Sequence, residues 1–97
     1  MPVPPRAVRF NAEKGLEIRA EQTPSNRAGT PVGIARARDL AAGRNVSEET
    51  IRRMVNFFNR HQQNWDPTDL RKKGSQAWLL WGGTAGRRWA ESELRKI

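Results

Sequence analysis

Ala77-Trp78-Leu79-Leu80-Trp81-Gly82-Gly83-Thr84-Ala85-Gly86-Arg87-Arg88-Trp89-Ala90 holds three of the four tryptophans of a 97-residue chain, broken by a Gly-Gly pair. A chain this short has few large side chains for a core, and each aromatic can bury roughly 150–250 Å². The stretch is therefore either the keystone of a small helical core or an aromatic-basic surface for stacking. Trp78, Leu79, Leu80 and Trp81 cover more than half the circumference of a helical turn, the pattern of a segment buried on most sides. That favours the core, with Trp78 and Trp89 packed inside. Trp65, in a polar loop beside Asp66-Pro67, reads as the tryptophan most open to solvent, and Trp81 as the next.

Outward from this stretch, helices account for the rest of the chain. Thr84 reads as the cap of a helix from Ala85 to about Lys96, with Trp89, Ala90, Leu94 and Ile97 inward. A shorter helix precedes it, Ser75–Trp81. Ser47 caps a helix running to about His61, where Glu48 and Glu49 complement the positive end of the dipole. Ile51, Met54, Val55 and Phe58 follow the i, i+3, i+4, i+7 spacing of a buried stripe, and Phe57 flanks it. Thr30-Pro31 starts another helix, which reaches about Ala42 and stops at Gly43; Gly33, Ile34, Ala37, Leu40 and Ala41 share one face. A first, weaker helix covers Ala7–Glu21, with Val8, Ala12, Gly15 and Leu16 together; mid-helix Gly15 costs about 1 kcal/mol relative to Ala. No run alternates as a strand would. The reading is all-α: residues 1–6 an extended Pro-rich lead-in, residues 7–97 a single domain, a compact bundle of four to five short helices. Its second and third helices form a helix-turn-helix-like pair across Gly43-Arg44-Asn45-Val46. The expected core is Ile34, Leu40, Ile51, Met54, Val55, Phe58, Trp78, Leu80 and Trp89.

Charge is the second constraint. Lys and Arg number 18 against 10 acidic residues, a net +8, and 14 of the 18 are arginine. It is spread evenly, +2 over residues 1–30, +3 over 31–60 and +3 over 61–97. Arginine forms planar two-pronged contacts with phosphate and stacks on rings, where lysine acts mainly as a hydrated point charge. A compact domain of this balance attracts polyanions, with affinity that falls as salt rises. The absence of cysteine excludes disulfides and thiolate metal sites, and His61 alone makes no zinc site. The longest apolar run, Ala77–Trp81, is far short of the roughly 18 residues that span a bilayer. The start, Met1-Pro2-Val3-Pro4-Pro5, lacks the apolar centre of a signal peptide. A chain without a membrane segment, suited to a reducing compartment, is expected.

Two cationic surfaces stand out. Arg52, Arg53, Asn56 and Arg60 project within about a 100° arc of one helix. Arg and Asn read guanine and adenine edges and also bind phosphate, but a solvated face of a basic protein looks the same. Arg71-Lys72-Lys73 would clamp phosphate at the entry to the fourth helix, with Arg36, Arg38 and Arg44 as extensions interrupted by Asp39. Catalysis finds no such support. His61 lacks a nucleophile or an acidic partner, and Asp66 and Asp69 sit in a loop at an ordinary spacing. Gly82-Gly83-Thr84-Ala85-Gly86 opens a helix without the phosphate-binding lysine. Neither enzyme chemistry nor a cofactor is expected.

Three stretches carry a resemblance: Gly33-Ile34-Ala35-Arg36-Ala37-Arg38-Asp39-Leu40; Ser47-Glu48-Glu49-Thr50-Ile51-Arg52-Arg53-Met54 with Phe57-Phe58-Asn59-Arg60-His61; and Ala77-Trp78-Leu79-Leu80-Trp81-Gly82-Gly83 with Ala85-Gly86-Arg87-Arg88-Trp89-Ala90. With Asn11-Ala12-Glu13-Lys14-Gly15-Leu16-Glu17, they resemble a small domain of tailed-phage genomes, found alone or appended to head-related proteins. Members continue after the Arg-His pair with acidic and lysine residues, where this chain has Gln62-Gln63-Asn64-Trp65. The resemblance implies a bacteriophage protein acting in the host cytoplasm or the virion, linked to the head or to packaged DNA, and no catalytic residues. The expected function is a basic accessory protein binding nucleic acid, DNA first, through phosphates and with low sequence specificity. The alternative is a virion-associated structural module contacting an acidic head protein; an inhibitor of a host enzyme is a third.

Overall fold

Arg6–Glu21 forms α1, Pro31–Ala41 α2, Glu48–His61 α3, Lys73–Leu80 α4 and Gly83–Arg95 α5, with single 3-10 turns at Pro24–Asn26 and Gln62–Asn64. This is the arrangement of a computed structural model that describes residues 2–97. Among the described residues there is no strand. The all-α reading holds.

Two caps fall where the sequence puts them. The Thr30 hydroxyl accepts the Gly33 N–H at 3.1 Å, and Pro31 opens α2 without a donor to waste. The Ser47 hydroxyl accepts from Thr50 N at 3.1 Å, and α3 ends on Arg60 and His61, complementing its negative end. α5 differs from expectation. Gly82 (φ +107°) and Gly83 (φ +67°) both sit in the left-handed region, so the chain reverses there and the helix begins at Gly83, not Ala85. Thr84 is then inside the helix rather than its cap, and its hydroxyl accepts the Trp78 indole N–H at 3.2 Å.

α1 is the hub, packing on α2, α4 and α5, while α3 packs mainly on α5. α2 and α3 thus succeed one another in sequence but take different principal partners, so the expected helix-turn-helix-like pair is not a packed unit. Gly15 explains how α1 and α4 approach: a Cβ there would lie 2.8 Å from Leu80 N and 3.0 Å from Leu79 Cβ. The glycine that weakens α1 in isolation admits the backbone of α4. The lead-in is tied down as well, with the Val46 N–H donating to Pro2 O at 2.8 Å and Pro4 buried.

The buried centre comprises Val8, Ala12, Leu40, Ile51, Met54, Phe57, Phe58, Trp78, Leu80 and Ala90. Full burial of such aliphatic and aromatic groups contributes about 1.5–3 kcal/mol each. Ile34, Val55 and Trp89, expected inside, are half-buried at its margin. Ile97, also expected inside, is 52% exposed because α5 ends at Arg95 and the last residues leave the core. Trp65, expected open to solvent, is half-buried like Trp81 and Trp89: it stacks on Trp78, centroids 5.7 Å apart and planes at 14°.

Candidate nucleic-acid interface

Helix α3 supplies the first wall. Its outward residues Arg52, Arg53, Asn56, Asn59 and Arg60 are all exposed. The two near its start are already engaged, Arg52 Nη2 with Glu48 Oε1 at 2.9 Å and Arg53 Nη2 with Glu49 Oε1 at 2.5 Å. Such solvated i, i+4 pairs add little stability, but they cancel local charge. Arg60, a full turn beyond Asn56, has no carboxylate within ion-pair reach among the described residues.

At that end of α3 two adjoining depressions meet, of about 450 and 480 Å³. Phe57, Arg60 and Trp81 line both, so these three residues join the depressions into one groove. Val32, Arg53, Asn56 and Asn59 complete the first; Arg27, His61 and Lys73 flank the second. No acidic residue lines either. Arg27 is oriented by backbone carbonyls, donating from Nε to Gln22 O at 3.1 Å and from Nη2 to Ala20 O at 3.3 Å, which leaves its charge uncompensated. Lys73 likewise has no carboxylate partner among the described residues. The second depression also meets the N-terminal ends of α2 (Thr30, Gly33) and α4 (Lys73, Gly74). Each end adds partial positive charge to that of the side chains.

Aromatic rings back the groove. Trp81 closes α4 and stacks on Phe57 with centroids 4.8 Å apart and planes at 12°; Phe57 in turn meets the His61 ring at 4.7 Å and 32°. Trp81 remains half-buried, whereas Trp78 is 2% exposed beneath Phe58 and Trp65.

Of the cations expected to act, Arg60 and Lys73 come together in the groove, joined by Asn56 and Arg53 at its far side. Arg52 does not line it. Arg71 and Lys72 face another way, into a shallow dip with Gln22, Asn26 and Asp69. Lys72 Nζ pairs with Asp66 Oδ2 at 2.7 Å, and that ammonium with the Thr68 donors holds the Asp66 carboxyl well below the usual carboxylate range. Asp39 takes Arg44 at 3.3 Å, and Arg36 lines a separate notch beside Val46 and Thr50.

Arg27 and Gln76 escaped the sequence reading. Gln76 is wholly buried: its Oε1 accepts from Ala28 N at 3.0 Å, and its Nε2 donates to Asn26 O at 2.9 Å and Arg71 O at 2.6 Å. It thereby fastens the loop carrying Arg27 to the segment that leads into Lys73. Among the described residues, no three His, Cys, Asp or Glu side chains gather as a metal site, and no helix is long and apolar enough to cross a membrane. Comparisons with protein-family models, curated proteins and solved structures give no match. Fold and groove define a small all-α protein with a cationic, aromatic-backed cleft.

Proposed function

We propose that this is a basic accessory phage protein that binds nucleic acid, mainly through phosphate contacts. The observation that carries the reading is the groove where Arg27, Arg60 and Lys73 converge with no carboxylate lining it. Phosphate oxygens are the ligands such a cluster accepts, with guanidinium groups gripping them in two-pronged fashion. The phage assignment rests on the sequence resemblance, and a place in the virion or the infected cell follows from it alone.

Three phosphates neutralised on a single strand give a slope near −2 in log affinity against log salt, about a 20-fold loss between 50 and 200 mM. Anisotropy titrations with labelled oligonucleotides test this. Replacing Arg27, Arg60 and Lys73 together by Ala should flatten the slope by about 2, whereas Arg52 with Arg53, charge-paired to Glu48 and Glu49, should change it less. Equal affinity and slope for the triple variant and the parent would refute the reading. Saturation at a fixed ratio with an acidic head protein, with no dependence on oligonucleotide length, would favour the structural module instead.

A further inference from the structure

We infer that the groove takes an unpaired strand, one base lying against Trp81 and the adjoining phosphate on Arg60; this rests on the nucleic-acid reading above. Trp78 is enclosed by Phe58, Trp65 and the Arg87 guanidinium, and Trp65 is spent on stacking against it. Trp81 alone of the four lines the groove, and its partly uncovered ring there is backed by Phe57 in near-parallel contact. A rigid, backed ring is a good platform, because ordering it for a ligand costs little further freedom.

The surroundings suit a nucleotide. Val32, 54% exposed, adds an apolar contact in the first depression, where Asn56 and Asn59 offer hydrogen-bonding groups. Arg60 lies in both depressions, where a phosphate linking nucleosides on either side would sit, and Arg27 with Lys73 continues the positive track. A duplex meets this shape poorly. Its bases are covered above and below by their neighbours and show only edges and phosphates, so a recessed ring gains nothing from it. At the start of α3's exposed face, which a major groove would have to meet, Arg52 and Arg53 are already paired with acids. Stacking of one base is worth about 5- to 150-fold in affinity, without sequence preference.

The test uses the full chain and labelled 12-nucleotide strands of mixed sequence, as DNA and as RNA, with the matching DNA duplex, at 50 mM salt. Either strand should bind more tightly than the duplex and quench tryptophan fluorescence, and the quenching should disappear in Trp81→Phe. Trp81→Leu, which keeps an apolar contact for Phe57, should raise the single-strand Kd about 5- to 150-fold and narrow the preference over duplex. If that variant melts early, quenching in the parent and in Trp81→Phe decides the matter. Binding that prefers duplex, or single-strand binding without quenching, would overturn the inference while leaving phosphate binding in place. No binding of any strand at 50 mM would overturn both.

Discussion

Removing the amide of Gln76 should cost this fold more than any other single polar change. Gln76→Leu keeps nearly the same volume but leaves Ala28 N, Asn26 O and Arg71 O without their side-chain partner. The three lost hydrogen bonds are worth about 0.5–1.5 kcal/mol each, and the Ala28 N–H, on a residue only 5% exposed, carries a further desolvation cost. The two carbonyls lie nearer the surface and recover water in part. The balance is about 2–4 kcal/mol, a large share of the 5–15 kcal/mol expected of a whole domain. For a chain of this size that lowers Tm by about 10–25 °C. Gln76→Glu should be worse than Leu, since it replaces the Nε2 donor by a carboxylate oxygen facing two carbonyl oxygens. Thermal melts followed by far-UV circular dichroism, with urea titrations for the free energies, measure all three proteins. A loss below about 0.5 kcal/mol in Gln76→Leu, or a glutamate variant as stable as the parent, would refute the claim that this amide organises the groove wall.

Three other outcomes follow from the packing. Gly15→Ala gains about 1 kcal/mol of helix propensity but places a methyl 2.8 Å from Leu80 N; with overpacking at about 1–3 kcal/mol, urea titration should record a net loss near 1 kcal/mol. Thr84→Val strips the Trp78 indole N–H of its acceptor and should cost about 1 kcal/mol, with altered near-UV circular dichroism from that ring. Asp66 has its folded-state pKa depressed by Lys72 and Thr68, so its contribution is full above the ordinary carboxylate pKa and is lost progressively as pH falls from there through the lowered value. Asp66→Asn should therefore remove that part of the acid dependence and lower stability at neutral pH, which melting curves across the acid range will record.

What the sequence made legible is what depends on near neighbours. Ser47 and Thr30 cap their helices because a hydroxyl finds an N–H three residues on, and α3 spans Glu48–His61 as expected. The buried stripe of Ile51, Met54 and Phe58 follows from the helical period. Misreadings arise where distant segments meet. Thr84 looked like a cap by residue type, but the reversed backbone at Gly82-Gly83 starts the helix earlier and frees the hydroxyl for Trp78. Trp65 looked exposed because its partner is thirteen residues away. Gln76 carried no local sign of burial, since a polar side chain goes inside only when tertiary partners await it. In the site, the i, i+4 spacing of Glu48–Arg52 and Glu49–Arg53 is the signal that separates those paired arginines from Arg60, and a reading by residue type alone groups all three. The meeting of Arg27, Lys73 and Trp81 with Arg60 is set by how α2, α3 and α4 converge.

The position of α1 bears on the order of events during synthesis. Its face of Val8, Ala12 and Gly15 is covered by α2, by Leu79 and Leu80, and by the Gly82-Gly83 turn, which Asn11 Nδ2 grips at Gly82 O over 71 residues of sequence. Helical proteins fold fast when their contacts are local, and here closure joins the first helix to the last two. A nascent chain that has emerged only through α3 holds one partner for α1 and lacks the other two. Native structure is therefore reached only once α4 and α5 have been translated, and a chain stopped before them leaves part of the Val8, Ala12 and Gly15 face of α1 uncovered.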